Sequence, residues 1–354
     1  MLMKQKQILF IYPSFSTFAE KDYISLIKKT EIIPYAYHPE KKILYFIYEL
    51  LKLKIFLIKK IRKTEIIYCW FADYHSVLPM LFGKIFNKKR ILIVGGNDAV
   101  SVPEIKYGIF YKRGFRRLSA KLTYKFSSLI LPVHKSLIQG INYYADNTGL
   151  KTGFLNYVKK VKADIFELPT GYDKNKWKLK NGIKKQQAVL TIASVKNLKT
   201  YKLKGFDLYT NVARKLPEIK FIIIGVSSEI HEFIKKDKPE NLIVHEYIEN
   251  SRLVDYMAAS KVYCQFSLSE GLPNVLCEAM LCECIPVGSD VNGIPDGIGT
   301  NGFILKERDV NQATELVKKA LMSDAALGKK ARQHIIDNYS HEKREESLYK
   351  LLDL

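Results

Sequence analysis

The stretch VYCQFSLSEGLPNVLCEAMLCECIPVGSD (262–290) decides the fold. An apolar run, VYCQFS (262–267), yields to a polar turn, then to a helical pattern over 273–283, then to a second apolar run, CIPVGSD (284–290). Nearly continuous apolar strands separated by a helix describe a parallel sheet covered on both faces. The same alternation extends outward. Toward the N-terminus lie strand patterns at 189–195, 219–226 and 242–248, with helical patterns at 205–215, 229–236 and 250–259; a further helical pattern follows at 310–322. The first half repeats the theme. Its strands are expected at 7–12, 65–71, 90–96, 128–133 and, more weakly, 163–168, with helices over 41–63, 75–87 and 113–126. Two such sets predict two doubly wound α/β domains, with ligands at the carboxyl ends of the strands. The polar, turn-rich segment near 169–187 separates them. The expected divisions are a first domain over 1–170, a second over 187–335, and a last helix over 336–354.

The 354 residues carry 57 Lys and Arg against 36 Asp and Glu, a net charge of +21. Before residue 166 the balance is 29 to 11, so nearly all of the excess lies in the first half. With 47% hydrophobic residues the chain is not disordered. It has no uncharged apolar run long enough to span a bilayer. The basic half points to an anionic partner. Five cysteines (Cys69, Cys264, Cys277, Cys282, Cys284) with no CxxC pair read as small buried residues, not as a disulfide framework or a metal site. The apolar run 8–12, stopped by Pro13, reads as a first strand and not as a signal peptide, which places the chain in the cytoplasm.

The chemistry concentrates at 269–283. Glu270 and Gly271 form the strand-to-helix turn, and Pro273 suits the first helical position. The N-terminal amides of that helix and its dipole offer a site for phosphate oxygens. Glu270 at the strand end and Glu278, eight residues on, can each accept hydrogen bonds from sugar hydroxyls. Two carboxylates flanking a phosphate-binding helix terminus describe a nucleotide-sugar site.

EGLPNVLCEA (270–279) resembles the E-x7-E signature of retaining glycosyltransferases of family 4, which have the GT-B fold. Four further segments agree: Lys204-Gly205 with Phe206-Asp207, Ile223-Ile224-Gly225-Val226, the run 286–305 through Gly-Ile-Pro to Asn-Gly-Phe, and Pro169-Thr170-Gly171-Tyr172-Asp173. The resemblance is specific from about 165 to 350. It implies two facing Rossmann-like domains, with an acceptor domain first, a donor domain second, and a C-terminal helix that returns to the first. It implies Glu270, Lys204 and Glu278 as catalytic residues, with Lys204 on the donor diphosphate. Lys196, Gly225, Tyr247, Ile248, Gly271, Leu272, Pro273, Asn274 and Val275 are the implied donor contacts. Lys196 stands where the family has an Arg, and as a point charge it lacks the bidentate fork. The glycine-rich loop expected after the first strand is absent.

In the first half, Asn97, Asp98, His75 and His134 follow strands and are candidate sugar or acceptor contacts. Asn97 and Asp98 also suit an Asx turn, and the histidines an ordinary turn. The implied reaction moves a sugar, with retention, from a UDP- or GDP-linked donor to an acceptor hydroxyl. The acceptor is expected to be a cell-surface or lipid-linked glycan. No Asp-x-Asp element is present, so no metal and no cofactor is expected. The basic segments 41–63 and 112–125 suggest attachment to an anionic membrane surface at the inner face of the cell membrane. Nucleic acid is not expected as a partner, because no helix-turn-helix, RRM or zinc motif is present. An epimerase on the same fold and a non-catalytic donor-binding partner subunit are the alternatives.

Overall fold

The computed structural model describes residues 5–38, 42–180 and 182–354. The chain forms two compact units. The first comprises residues up to Gly140, Lys151–Thr170 and Arg344–Leu354; the second comprises Ile141–Leu150 and Gly171–Lys343.

In the first unit the strands are β1 (Gln7–Tyr12), β2 (Glu31–Ala36), β3 (Ile66–Trp70), β4 (Lys89–Val94) and β5 (Leu129–Pro132). A short pair follows, β6 (Gly140–Asn142) and β7 (Leu150–Thr152), then β8 (Asp164–Ile165). The main sheet runs β2-β1-β3-β4-β5-β8, parallel throughout. Its helices are α1 (Thr17–Ile27), α2 (Ile43–Lys60), α3 (Tyr74–Ile85) and α4 (Phe115–Phe126). Every residue of β3 and β5 is buried, as expected for strands covered on both faces. Besides the short β6–β7 pair, two elements were not read from the sequence. Helix α1 is one. The other is β2, where Pro34 interrupts the apolar pattern; it is tolerated because β2 is an edge strand. The strand expected over 163–168 shrinks to the two residues of β8.

The second unit has β9 (Gln186–Val195), β10 (Lys220–Val226), β11 (Leu242–His245), β12 (Ser260–Gln265), β13 (Ile285–Ser289) and β14 (Phe303–Leu305). They form a second parallel sheet in the order β11-β10-β9-β12-β13-β14. Its helices are α5 (Leu198–Leu203), α6 (Phe206–Lys215), α7 (Ser228–Lys235), α8 (Asn250–Ala259) and α9 (Asn274–Leu281). Then come α10 (Ile294–Ile298), α11 (Val310–Met322), α12 (Ala325–Tyr339) and α13 (His341–Leu352). The five cysteines are free and buried.

The strand order reverses once in each sheet, between β1 and β3 in the first and between β9 and β12 in the second. Loops that leave adjacent strands in opposite directions open a crevice at such a point.

The expected divisions need three corrections. The division does fall within 169–187, between Thr170 and Gly171, but the second unit starts at Gly171 and not at 187. Trp177 and Tyr172 are buried in the second unit's core, and Arg332 donates to the carbonyls of Trp177 and Lys174. The first unit is not continuous over 1–170. Ile141–Leu150 belongs to the second unit, where Tyr144 is buried and Asn142 Nδ2 donates to the Leu268 carbonyl at 2.8 Å. The terminal segment 336–354 is not one helix, because extended backbone at Ser340 separates α12 from α13.

From Arg344 onward, α13 joins the first unit through one buried polar cluster. The Arg344 guanidinium takes both oxygens of Asp22 in α1, at 2.7 and 2.8 Å, and donates to the carbonyls of Leu168 and Pro169. Tyr68 of β3 donates its hydroxyl to Asp22 Oδ2 at 2.6 Å. A buried ion pair is tolerable when its remaining donors and acceptors are also satisfied, as they are here.

Candidate functional site

In the second unit, the strand β12 sets polar residues at alternate positions on one face: Tyr263, Gln265 and, just beyond its end, Ser267. They form a chain. Tyr263 meets Gln265 Oε1 at 3.1 Å, Gln265 Nε2 donates to Ser267 Oγ at 2.8 Å, and Ser267 Oγ donates to Glu270 Oε1 at 2.7 Å. Gln265 Nε2 also reaches Glu270 Oε1 at 3.3 Å. From the opposite side Lys204 Nζ donates to the same oxygen at 2.6 Å. Among the described residues Glu270 Oε2 accepts nothing. The carboxylate is thus held by one oxygen with the other left for a ligand.

Lys204 reaches this point because of its neighbours. The capping box of Asn197 and Thr200 starts α5, and Lys204 ends it. Gly205 then sits at φ +69°, where a Cβ would lie 2.1 Å from the Phe266 carbonyl oxygen. Only glycine lets the backbone after Lys204 pass this close to the end of β12. The Leu268 amide donates to the Leu203 carbonyl and fixes the two loops together.

Glu278 is buried in α9. Burial pushes the Tyr263 phenol well above its usual range, and the charges of Glu270 and Glu278 add to the shift. Pro273 is the cap of α9 and not its first helical residue, and it offers no side-chain hydrogen bond to the helix terminus. Gly271 and Leu272 are buried beneath it, and the Gly271 carbonyl accepts from Gly293. Val275 packs on the core. Asn274 Oδ1 accepts from the Tyr172 hydroxyl at 3.0 Å, which ties the motif to the Pro169–Asp173 segment.

On the other side of β9, a cavity of about 450 Å³ opens at the carboxyl ends of β9, β10 and β11. Lys196, Gly225, Tyr247 and Ile248 line it together with Ser194 and Ser227. The strand expected over 242–248 ends at His245, which frees Tyr247 and Ile248 to form the cavity loop; Tyr247 is 80% exposed. Gly225 sits at φ +101°, and a Cβ there would meet the Ala193 carbonyl oxygen at 2.4 Å. Lys196 is exposed at the rim.

The first-unit candidates behave differently. His75 and Asp98 line a cavity of about 500 Å³ with Asn97, Tyr37, Asp73 and Arg116. Both are engaged by backbone. His75 is buried, and its Nε2 donates to the Trp70 carbonyl at 2.7 Å; burial lowers its pKa, so the ring is neutral near pH 7. Asp98 accepts from the amides of Ala72, Gly95 and Gly96 at 3.0–3.2 Å. Burial nevertheless raises its pKa to about 6, against the opposing pull of those amides. Asn97 is exposed. His134 lies apart from this cavity, where its Nδ1 accepts from the Ser136 amide and caps a single 3-10 turn. Phe71, at φ +68°, bridges β3 to the cavity; Gly95 has no side chain because the Phe71 ring occupies its place. Among the described residues no three His, Cys, Asp or Glu side chains converge as metal ligands would.

The second-unit arrangement puts a Lys–Glu pair, an uncapped helix terminus and an apolar cavity along one sheet edge. Residues 173–341 match the family of group 1 glycosyl transferases. The group 1 stretch contains all of Lys196, Lys204, Gly225, Tyr247, Glu270 and Glu278. Trehalose synthase of Thermococcus litoralis is 30% identical over 164 residues, 42% of this chain and 39% of that protein. The match thus spans well under half of that relative. A sucrose-phosphate synthase of Thermosynechococcus elongatus superposes with a TM-score of 0.72 at 12% identity, over 99% of this chain and 98% of that one. Anabaena HepE, solved with UDP and glucose, superposes with a TM-score of 0.68 at 13% identity, over 99% of both chains. The fold is GT-B.

Sequence reasoning missed Gln265 and Ser267, which hold Glu270, and Tyr37, Asp73 and Arg116 in the first-unit cavity. The signal for the first two was present: two polar residues on one face of an otherwise apolar strand.

Proposed function

We propose that this chain is a retaining glycosyltransferase that moves a sugar from a UDP- or GDP-linked donor to an acceptor hydroxyl. The observation that carries this reading is the Glu270 carboxylate, fixed through Oε1 by Lys204, Ser267 and Gln265, with Oε2 left to accept from a sugar hydroxyl. The cavity beside β9 has room for the nucleoside, with Gly225 lining it where the chain passes close to the Ala193 carbonyl, and with Tyr247 exposed beside it. The costly event is departure of the nucleoside diphosphate. An ammonium has three N–H donors, so Lys204 can hold Glu270 and a phosphate oxygen together. Lys196 and the amides at the start of α9 add to the stabilisation of the charge that builds on the leaving group. On this reading no metal is required, and the leaving phosphate assists deprotonation of the acceptor on the same face. The HepE complex with UDP and glucose supports a nucleotide-sugar donor.

The first unit would hold the acceptor, a cell-surface or lipid-linked glycan, at the inner face of an anionic membrane. No described helix is long and apolar enough to cross a bilayer, so attachment would be peripheral. The test is product analysis with purified chain, a nucleotide-sugar panel and acceptor glycans. A new glycosidic bond with the donor's anomeric configuration is expected. Donor consumption at the same rate without acceptor, or an isomerised sugar still on its nucleotide, would overturn the reading in favour of hydrolysis or epimerisation.

A further inference from the structure

Helix α2 has two apolar faces, and only one of them is covered. Leu53 and Leu57 are fully buried against the first unit, and Glu49 is buried one turn before. At 3.6 residues per turn, Ile43, Leu44, Ile47, Leu51, Ile55 and Ile58 fall together on a different arc. Each of these six is 46–77% exposed. A surface helix in a soluble domain ordinarily turns charged residues outward. Lys54 falls on the same arc, and an apolar face of this length around it marks an interaction surface.

The charges around it say what it meets. Lys42, Lys52, Lys54, Lys59, Lys60, Arg62 and Lys63 lie on or beside α2, and all are exposed. Protein–protein interfaces are depleted in Lys at their cores. Interfacial helices carry Lys on either side of an apolar face, with the ammonium groups extended to lipid phosphates. On α3, which packs on α2, Ile85 is 66% exposed, and on α4, which packs on α3, Phe115 is 82% exposed beside Lys112 and Arg113. Two of the six basic residues in 112–125 are otherwise engaged. Arg116 binds Asp73, and Arg117 donates to the Phe110 carbonyl. Of the seven cations on or beside α2, Lys52 also pairs with Glu49, and Lys112, Arg113, Lys121 and Lys125 add to the attraction from the segment 112–125.

We infer that α2 lies in the plane of an anionic leaflet, with the face of Ile43, Leu44, Ile47, Leu51, Ile55 and Ile58 inserted among the acyl chains and its lysines on the headgroup phosphates. This deepens the membrane part of the function proposed above, but it is read without donor or acceptor. Phe46, on the same helix, lines the first-unit cavity and packs edge-on against Tyr74. An acceptor with an apolar anchor would thus meet the cavity beside the inserted helix.

The test uses the full chain with vesicles of phosphatidylcholine, alone or mixed with phosphatidylglycerol. Wild type should sediment with the mixed vesicles at least about tenfold more than with the neutral ones, and lose much of that binding at high salt. A Leu51→Trp variant should show blue-shifted emission on mixed vesicles and quenching by brominated acyl chains. The triple variant Leu44→Asp, Leu51→Asp, Ile55→Asp should lose vesicle binding while keeping the wild-type melting temperature and its response to nucleotide sugars. Unchanged vesicle binding in the triple variant, or unshifted Trp emission, would overturn insertion of this face. So would a solution dimer that the triple variant dissociates, because a second copy would then be the occupant. Failure of the transfer assay with intact vesicle binding would count against the transferase reading alone.

Discussion

The two points of strand reversal put the same architecture to different use. At the β9/β12 point the polar side chains face outward from a scaffold that is already satisfied: Ser267 and Gln265 spend their hydrogen bonds on Glu270, and Glu270 keeps an oxygen in reserve. At the β1/β3 point the polar side chains face inward. Asp98 and His75 bind backbone amides and a backbone carbonyl, and so shape the loops that line the cavity. A candidate residue at a strand end is therefore not yet a ligand contact. Its hydrogen-bond partners decide which role it has.

The largest effects are expected at the second-unit pair. Glu270→Gln or Lys204→Ala should each lower turnover by about 10²–10³-fold, the scale for removing a preorganised charge contact. Ser267→Ala, which only loosens Glu270, should cost about tenfold. Equal small losses in all three would mean that the pair is structural and that the two units do not differ in this respect.

The first unit should respond in stability. Arg344→Leu leaves Asp22 buried without its partner and should cost about 3–5 kcal/mol in denaturant unfolding. A loss below about 1 kcal/mol would show that α13 is not held by this cluster.

The smallest effect is a pH dependence. Asp98 has its folded pKa raised to about 6, so it binds its proton more tightly when folded. Its contribution to stability is fully present below its unfolded value near 4 and is lost as pH rises through about 6. His75, held low by burial, acts in the opposite sense, since its charging at acid pH opposes folding. The informative quantity is therefore the difference between wild type and Asp98→Asn from pH 4 to 7. It should slope across that window, and a flat difference would mean an ordinary, exposed carboxylate.

Both sheets were legible because their central strands are continuous apolar runs. What the sequence did not show depended on distant contacts or on position in the sheet. Pro34 hid β2, since only an edge position makes a proline acceptable there. Trp177 sits in a segment rich in lysine and turns, and only its burial shows that the segment is packed. Glu270, Lys204 and Glu278 stood out through motif resemblance, but the Lys204–Glu270 pair spans 66 positions that no spacing rule connects. Asp22 and Arg344 are 322 apart and carry no local signature. His75 and Asp98 are open in the sequence to a turn role as well as to a ligand contact, because a strand end admits both and the amides and carbonyl they bind are invisible there.

On the function proposed above, the second unit's sheet edge binds a nucleotide sugar. The direct measurement is the melting temperature of the chain against a panel of UDP- and GDP-sugars, with wild type beside Gly225→Val. A ligand at 100 times its Kd stabilises the folded state by about 2.7 kcal/mol. One donor in the panel should raise the wild-type transition by several degrees, and Gly225→Val, whose Cβ would run into the Ala193 carbonyl oxygen and displace the backbone lining the cavity, should lose that response. A wild-type transition that no nucleotide sugar moves, or a donor response that survives Gly225→Val, would contradict the account.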